Sequence, residues 1–194
     1  MKKRELTAAL TSVTAPADFG GDVRGWLLQQ AQQYGLPWLL AHADDGVNWG
    51  VVRDGQLRLS TDEYGAYAPP LRAGTLQQVR IFGPAGELYL WRGDGEWRGR
   101  YLAARAEDDT LTTHYLLWGD SVKGRMSGDF QLLSDGVEGL HHAPPLLPET
   151  SFDPKRQNLG VQVQHTVAYD EDGQAHIAAS RLVALVVVDK KEEK

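Results

Sequence analysis

Three Asp-Gly steps in the first half of the chain, at Asp45-Gly46, Asp54-Gly55 and Asp94-Gly95, sit between short runs in which apolar and polar residues alternate. Asp-Gly supplies the positive φ of tight hairpin turns, and alternation of period two marks strands with one buried face. A chain punctuated in this way cannot be mostly helical. LPWLLAHADDGVNWGVVRDGQLRLS reads as three short strands, and STDEYGAYAPPLRAG reads as a loop, because Pro69-Pro70 has no N–H to give a ladder. LTTHYLLWG is a further strand, and FQLLSDGVEGLHHAPPL carries one or two more. The last hairpin is LGVQVQHTVAY, the turn DEDG, and QAHIAASRLVALVVV.

One segment breaks the period. In DVRGWLLQQAQQYG, residues Val23, Trp26, Leu27, Ala31 and Tyr34 recur at helical spacing, Asp22 stands where a cap is needed and Gly35 where a helix stops. The expected fold is therefore mainly β: an antiparallel sheet or a barrel- or sandwich-like domain with one packed N-terminal α-helix. Residues 1–20 read as a loosely packed lead-in, residues 21–188 as a single β-rich domain and residues 189–194 as a charged tail.

The stretch LQQVRIFGPAGELYLWRGDGEWRGRYL, Leu76 to Leu102, is regular enough to assign a register. A turn from Gly83 to Gly86 sets Phe82 opposite Glu87, Ile81 opposite Leu88, Arg80 opposite Tyr89 and Gln78 opposite Trp91. A two-residue Asp94-Gly95 turn sets Trp91 opposite Arg98, Tyr89 opposite Arg100 and Leu88 opposite Tyr101. One face then holds Val79, Ile81, Leu88, Leu90 and Tyr101. The other holds Arg80, Tyr89, Trp91, Arg98 and Arg100. A turn one residue longer would put Leu90 against Arg98 and spoil the apolar face. Arginine beside tyrosine and tryptophan is a chemistry that stacks on bases and holds phosphates. The same residues also stabilise a solvent-facing sheet through cross-strand and cation–π pairs.

Other chemistry finds little footing. There are no cysteines, which removes disulfides, thiolate metal sites and cysteine nucleophiles. The six histidines show no H-x-x-x-H pair, and the adjacent His141 and His142 would point to opposite faces of a strand. His165 and His176 flank DEDG and stand where a hairpin can set them across from each other. DEDG lacks the rest of a calcium loop, and GDGEWRG leads into a strand, unlike a phosphate-binding loop. No nucleophile elbow is present. The expectation is no catalytic residue, no metal and no cofactor. A formal net charge of −6 argues against unaided tight binding of nucleic acid, while leaving room for a local basic patch. Leu182 to Val188 is too short an apolar run to span a bilayer. The chain reads as soluble and cytoplasmic.

PPLRAGTLQQVRIFGPAGELYLWRGDGEWRGR, YLLWGD, GLHHAPPL and VQHTVAYDEDGQAHIAASRLVAL occur in this order between about residues 37 and 187. As an ordered set they resemble a family of CRISPR-associated proteins encoded with type III-D interference systems, the small nineteenth-numbered accessory family. The resemblance implies a non-catalytic accessory subunit of an RNA-guided complex that targets RNA. Its implied partners are the other effector subunits and, within the complex, guide or target RNA. It brings no catalytic motif, and cleavage and cyclic-nucleotide synthesis in such systems are attributed to other subunits. The alternative is a standalone nuclease or small-nucleotide-responsive effector of antiviral defence. The residues expected to meet RNA or a partner are Arg80, Tyr89, Trp91, Arg98 and Arg100.

Overall fold

A computed structural model describes residues 10–64, 70–104, 110–118, 131–133, 153 and 155–189. Among them, eleven strands form two antiparallel sheets, and one long helix stands near the start. The helix, α1, runs from Val23 to Tyr34. Its first turn is capped by Asp22, whose carboxylate accepts from the Gly25 N–H at 3.0 Å. Gly35 closes it in the left-handed conformation, φ 67°, with its N–H on the carbonyls of Ala31 and Gln32.

The larger sheet contains β1 (Leu10–Thr14), β2 (Trp38–Ala43), β3 (Gly46–Arg53), β4 (Gln56–Leu59), β5 (Leu76–Gly83), β6 (Gly86–Gly93) and β7 (Glu96–Ala103). Their order across it is β1-β7-β6-β5-β2-β3-β4. The smaller sheet has the order β11-β10-β8-β9, from β8 (Thr110–Trp118), β9 (Gln131–Leu133), β10 (Gln157–Tyr169) and β11 (Ala175–Asp189). The mainly β, antiparallel class is as the turn signals require. Asp54-Gly55 and Asp94-Gly95 are the turns that join β3 to β4 and β6 to β7, with positive φ at all four residues.

Two local elements differ from the reading of the sequence. Leu10–Thr14, within the expected lead-in, is an edge strand paired with β7 from Leu10↔Leu102 to Thr14↔Arg98. Its sequence, LTSVT, shows no strong alternation. Val13 packs against the core, while Thr11, Ser12 and Thr14 face solvent. Ser60–Tyr64, within the expected loop, is a short helix, α2. The buried Asn48 side chain gathers the hydroxyls of Ser60 and Thr61, and Asp62 accepts from the Leu59 N–H at 2.9 Å. These local polar contacts turn the chain off β4. The His141-His142 pair, the Pro69-Pro70 pair except Pro70, most of Pro144 to Gln157, and residues 190–194 lie outside the described residues.

One face of the larger sheet packs on α1. Leu27 and Ala31 of the helix meet Leu39, Ala41, Val79, Ile81, Leu88 and Leu90 in a single buried cluster. Phe19 is tucked beneath Trp26 and Trp97, with ring centroids 5.3 and 4.9 Å away. On the opposite face, β11 meets β5 and β6: the Leu182 N–H donates to the Glu87 carboxylate, and Arg181 donates to the Pro84 carbonyl at 3.3 Å. That contact covers the Phe82–Glu87 end of the face; the same face is also buried at Leu40, His42 and Trp49, while Arg98 and Arg100 stay exposed.

Candidate partner-binding face

The register of β5, β6 and β7 matches the sequence assignment pair for pair, from Phe82↔Glu87 to Gln78↔Trp91 and from Arg92↔Trp97 to Leu88↔Tyr101. It lays three rows across the face turned away from α1. The first row is Phe82–Glu87–Leu102, the second Arg80–Tyr89–Arg100 and the third Gln78–Trp91–Arg98. All five expected contact residues therefore share one face. Arg92 is on the other, its guanidinium 5.4 Å from the Trp97 ring centroid and donating to the Ala73 carbonyl.

The second and third rows interlock. The Tyr89 and Trp91 rings stack, with centroids 5.1 Å apart and planes 29° from parallel. The Arg80 guanidinium lies 4.3 Å from the Tyr89 centroid and that of Arg100 lies 5.6 Å from it. Tyr89 is thus clamped between two cations, each contact worth about 0.5–1 kcal/mol where water has access. The Tyr89 hydroxyl donates to Gln78 at 3.0 Å, which fixes the ring's tilt. Arg98 reaches back toward Asp94 in the turn at 3.7 Å and is otherwise open to solvent. The result is a pre-ordered aromatic platform with guanidinium groups along its rim.

The five residues do not share one environment. Arg98 and Arg100 are exposed, whereas the Arg80 side chain is only 23% exposed and bonds Glu87 at 3.0 Å. Glu87, in the first row, is 3% exposed beneath β11. Burial pushes its carboxyl above the usual carboxylate range, opposed by the charge of Arg80, the Leu182 N–H, and the charges of Arg100 and Arg181. The alternation of the sequence sets all five on one face, without saying how much of it is covered. β11 covers one end, and Arg80 belongs half to the platform and half to the join between the sheets.

Sequence reasoning missed Glu87, Arg181 and Leu182 in this cluster. One signal was available for Glu87: a carboxylate set opposite Phe82 within a strand. For Leu182 no local signal exists. It lies on β11, the edge strand of the smaller sheet, beside a bulge at which Gln162 pairs with Ala184 and the next residue, Val163, pairs with Leu182.

The two histidines that flank DEDG do not oppose each other. His165 pairs with Ser180 and is buried, its Nδ1 2.7 Å from the Ser180 hydroxyl; His176 pairs with Ala168 and is exposed. They project from opposite faces of the hairpin. Among the described residues, no three His, Asp or Glu side chains converge as metal ligands. Burial holds His165 below its ordinary value of 6.5. The unfolded chain then takes up a proton that the folded chain resists, so this group's stabilisation is full above pH 6.5 and is lost as the pH falls through that region. His165→Gln is expected to flatten the dependence of melting temperature on pH between 7 and 5. An unchanged pH profile would mean that the ring protonates freely in place.

Residues 38–185 match the family described as CRISPR-associated protein Csx19. The chain is also similar to a curated protein named glutamate 5-kinase 1, from Mesorhizobium japonicum. The two are 30% identical over 149 residues, 66% of this chain. The chain spans 35% of that protein's length.

Proposed function

Because the chain belongs to the CRISPR-associated Csx19 family, we propose that it is a non-catalytic accessory subunit of a type III-D RNA-guided effector complex, working in the cytoplasm. Its aromatic and arginine face meets guide or target RNA once the other subunits have placed it there. The observation that carries this reading is the platform itself: Tyr89 stacked on Trp91, with Arg100 and Arg98 exposed at its rim. An acidic chain is poorly suited to find RNA alone. Held in an assembly, it needs only a few correctly placed cations, with the aromatic surface adding about 1–3 kcal/mol per stacked base.

Co-expression with the neighbouring effector subunits tests the assignment. The chain is expected to co-purify with them in fixed stoichiometry and, purified alone, to leave labelled RNA intact with or without divalent ions. Cleavage that a chelator abolishes, and that an active-site substitution removes, would return the chain to the standalone effector reading. Within the complex, Trp91→Ala is expected to weaken RNA binding by about 1–3 kcal/mol through loss of a stacked base. Unaltered affinity would mean that no base rests on that ring.

A further inference from the structure

Along β10, residues Leu159, Val161, Val163 and His165 point to one face and are buried. The same face continues outward through Val167 to Tyr169 and emerges from the core. Among the described residues, three large apolar side chains are exposed, and all stand here: Leu111 at 42%, Tyr169 at 44% and Ile177 at 55%. The register gathers them. Leu111 pairs with His165, Ile177 pairs with Val167, and Tyr169 lies two residues beyond Val167 on the same face. The exposed apolar side chains are thus clustered on one face and not scattered singly.

The charge around this strip narrows what covers it. The turn at its end carries Asp170, Glu171 and Asp172, and there is no Lys or Arg from residue 157 to residue 180 or from residue 106 to residue 118. Glu171 and Asp172 are exposed. RNA is repelled by such a surface. So is an anionic membrane. A second copy of this chain, meeting it symmetrically, would set like turns together in a protein of net charge −6. A protein partner with basic residues around an apolar recess satisfies both the strip and the turn, and proteins that hold RNA mainly through its phosphates are usually basic.

We propose that the outer half of the β10–β11 hairpin is a docking surface for such a partner: a basic, RNA-carrying protein subunit whose apolar recess takes Tyr169 and Ile177 while its Lys or Arg residues meet Glu171 and Asp172. This rests on reading the chain as a subunit of an RNA-guided complex, and it uses a surface distinct from the arginine face. The two surfaces divide the work, with the hairpin holding protein and the larger sheet holding RNA.

The test is zero-length carbodiimide cross-linking of the complex assembled with the neighbouring effector subunits, which joins carboxylates to lysines in direct contact. Glu171 or Asp172 is expected to cross-link to a lysine of another subunit. In parallel, Tyr169→Ser/Ile177→Ser is expected to keep the parent's circular dichroism and melting temperature while weakening assembly about tenfold or more. The charge-reversed Glu171→Lys/Asp172→Lys, which leaves the turn-forming Asp170 in place, is expected to weaken it as well. Cross-links between two copies of this chain would overturn the proposal. So would hairpin variants that assemble like the parent. Failure of the parent itself to associate with the effector subunits would overturn the subunit reading, a result distinct from a failure of the hairpin alone.

Discussion

Arg80→Ala is expected to destabilise the fold by about 3 kcal/mol, several times the effect of removing either of its neighbours on the platform. The cause is Glu87. Its carboxylate is 3% exposed, and Arg80 bonds it at 3.0 Å. Removing one partner of a buried ion pair leaves the other charge without compensation, at about 3–5 kcal/mol, and the lower end applies because Arg80 is partly open to water. Arg98→Ala removes an exposed side chain and should stay within about 0.5 kcal/mol, and Arg100→Ala, which also gives up its contact with Tyr89, should stay within about 1 kcal/mol. The pH dependence gives a second readout. Burial raises the Glu87 carboxyl above its ordinary 4.5. The folded chain therefore holds this proton more tightly than the unfolded chain, and the group's contribution is present at low pH and lost as the pH rises through the raised folded value. Without Arg80 the carboxyl rises further, so the deficit of the variant should be larger at pH 8 than at pH 5. Arg80→Ala/Glu87→Gln should recover much of the loss, because glutamine still accepts from the Leu182 N–H and carries no charge. A double variant no more stable than Arg80→Ala would show that the loss arises from packing over Tyr89 and not from the stranded carboxylate.

Gly86→Ala is expected to cost about 2–6 kcal/mol. Gly86 opens β6 at φ 151°, and a Cβ there would lie 2.3 Å from the Leu102 carbonyl oxygen and 3.0 Å from the Tyr101 hydroxyl. The turn is gripped from that side: Tyr101 donates to the Ala85 carbonyl at 3.0 Å, and the Ala104 N–H donates to it at 2.9 Å. A methyl group would push β7 away from the turn that holds it, adding about 1–3 kcal/mol of overpacking to about 1–3 kcal/mol of backbone strain. Gly95→Ala is the control. Gly95 also has positive φ, 79°, but nothing lies within 4 Å of its added Cβ. Strain alone should cost about 1–2 kcal/mol there. Denaturant midpoints with unchanged slopes compare the two. Equal losses would mean that the contact with β7 yields without cost.

Much of the larger sheet was legible because its turns leave little freedom. Asp94-Gly95 admits a two-residue turn, and only that register keeps Leu88 and Leu90 away from arginine, so the pairing across three strands follows from local chemistry. The helix was legible for the same reason: Asp22 and Gly35 mark its ends. β1 was not, because Val13 packs on the core while Thr11, Ser12 and Thr14 all face solvent, which leaves no period to read. The division of the arginine face was not legible either. It depends on β11 meeting β6 through Leu182 and Glu87, which are 95 residues apart in sequence. The alternation in β5, β6 and β7 says which residues share a face. It does not say which part of that face the rest of the chain covers.

This division decides how the face should be tested. Arg80 compensates the buried carboxylate of Glu87, which joins the sheets, so its removal confuses folding with binding. Arg98 and Arg100 are exposed and separable from the core. The most direct measurement is the salt dependence of single-stranded RNA binding by the assembled complex carrying Arg98→Ala/Arg100→Ala, with melting temperature and stoichiometry matched to the parent. Two lost phosphate contacts should lower the slope of log affinity against log salt by about 1.4, at roughly 0.7 per contact. An assembled complex with the parent's slope and affinity would contradict the account and leave the arginine and aromatic face as solvent-facing sheet.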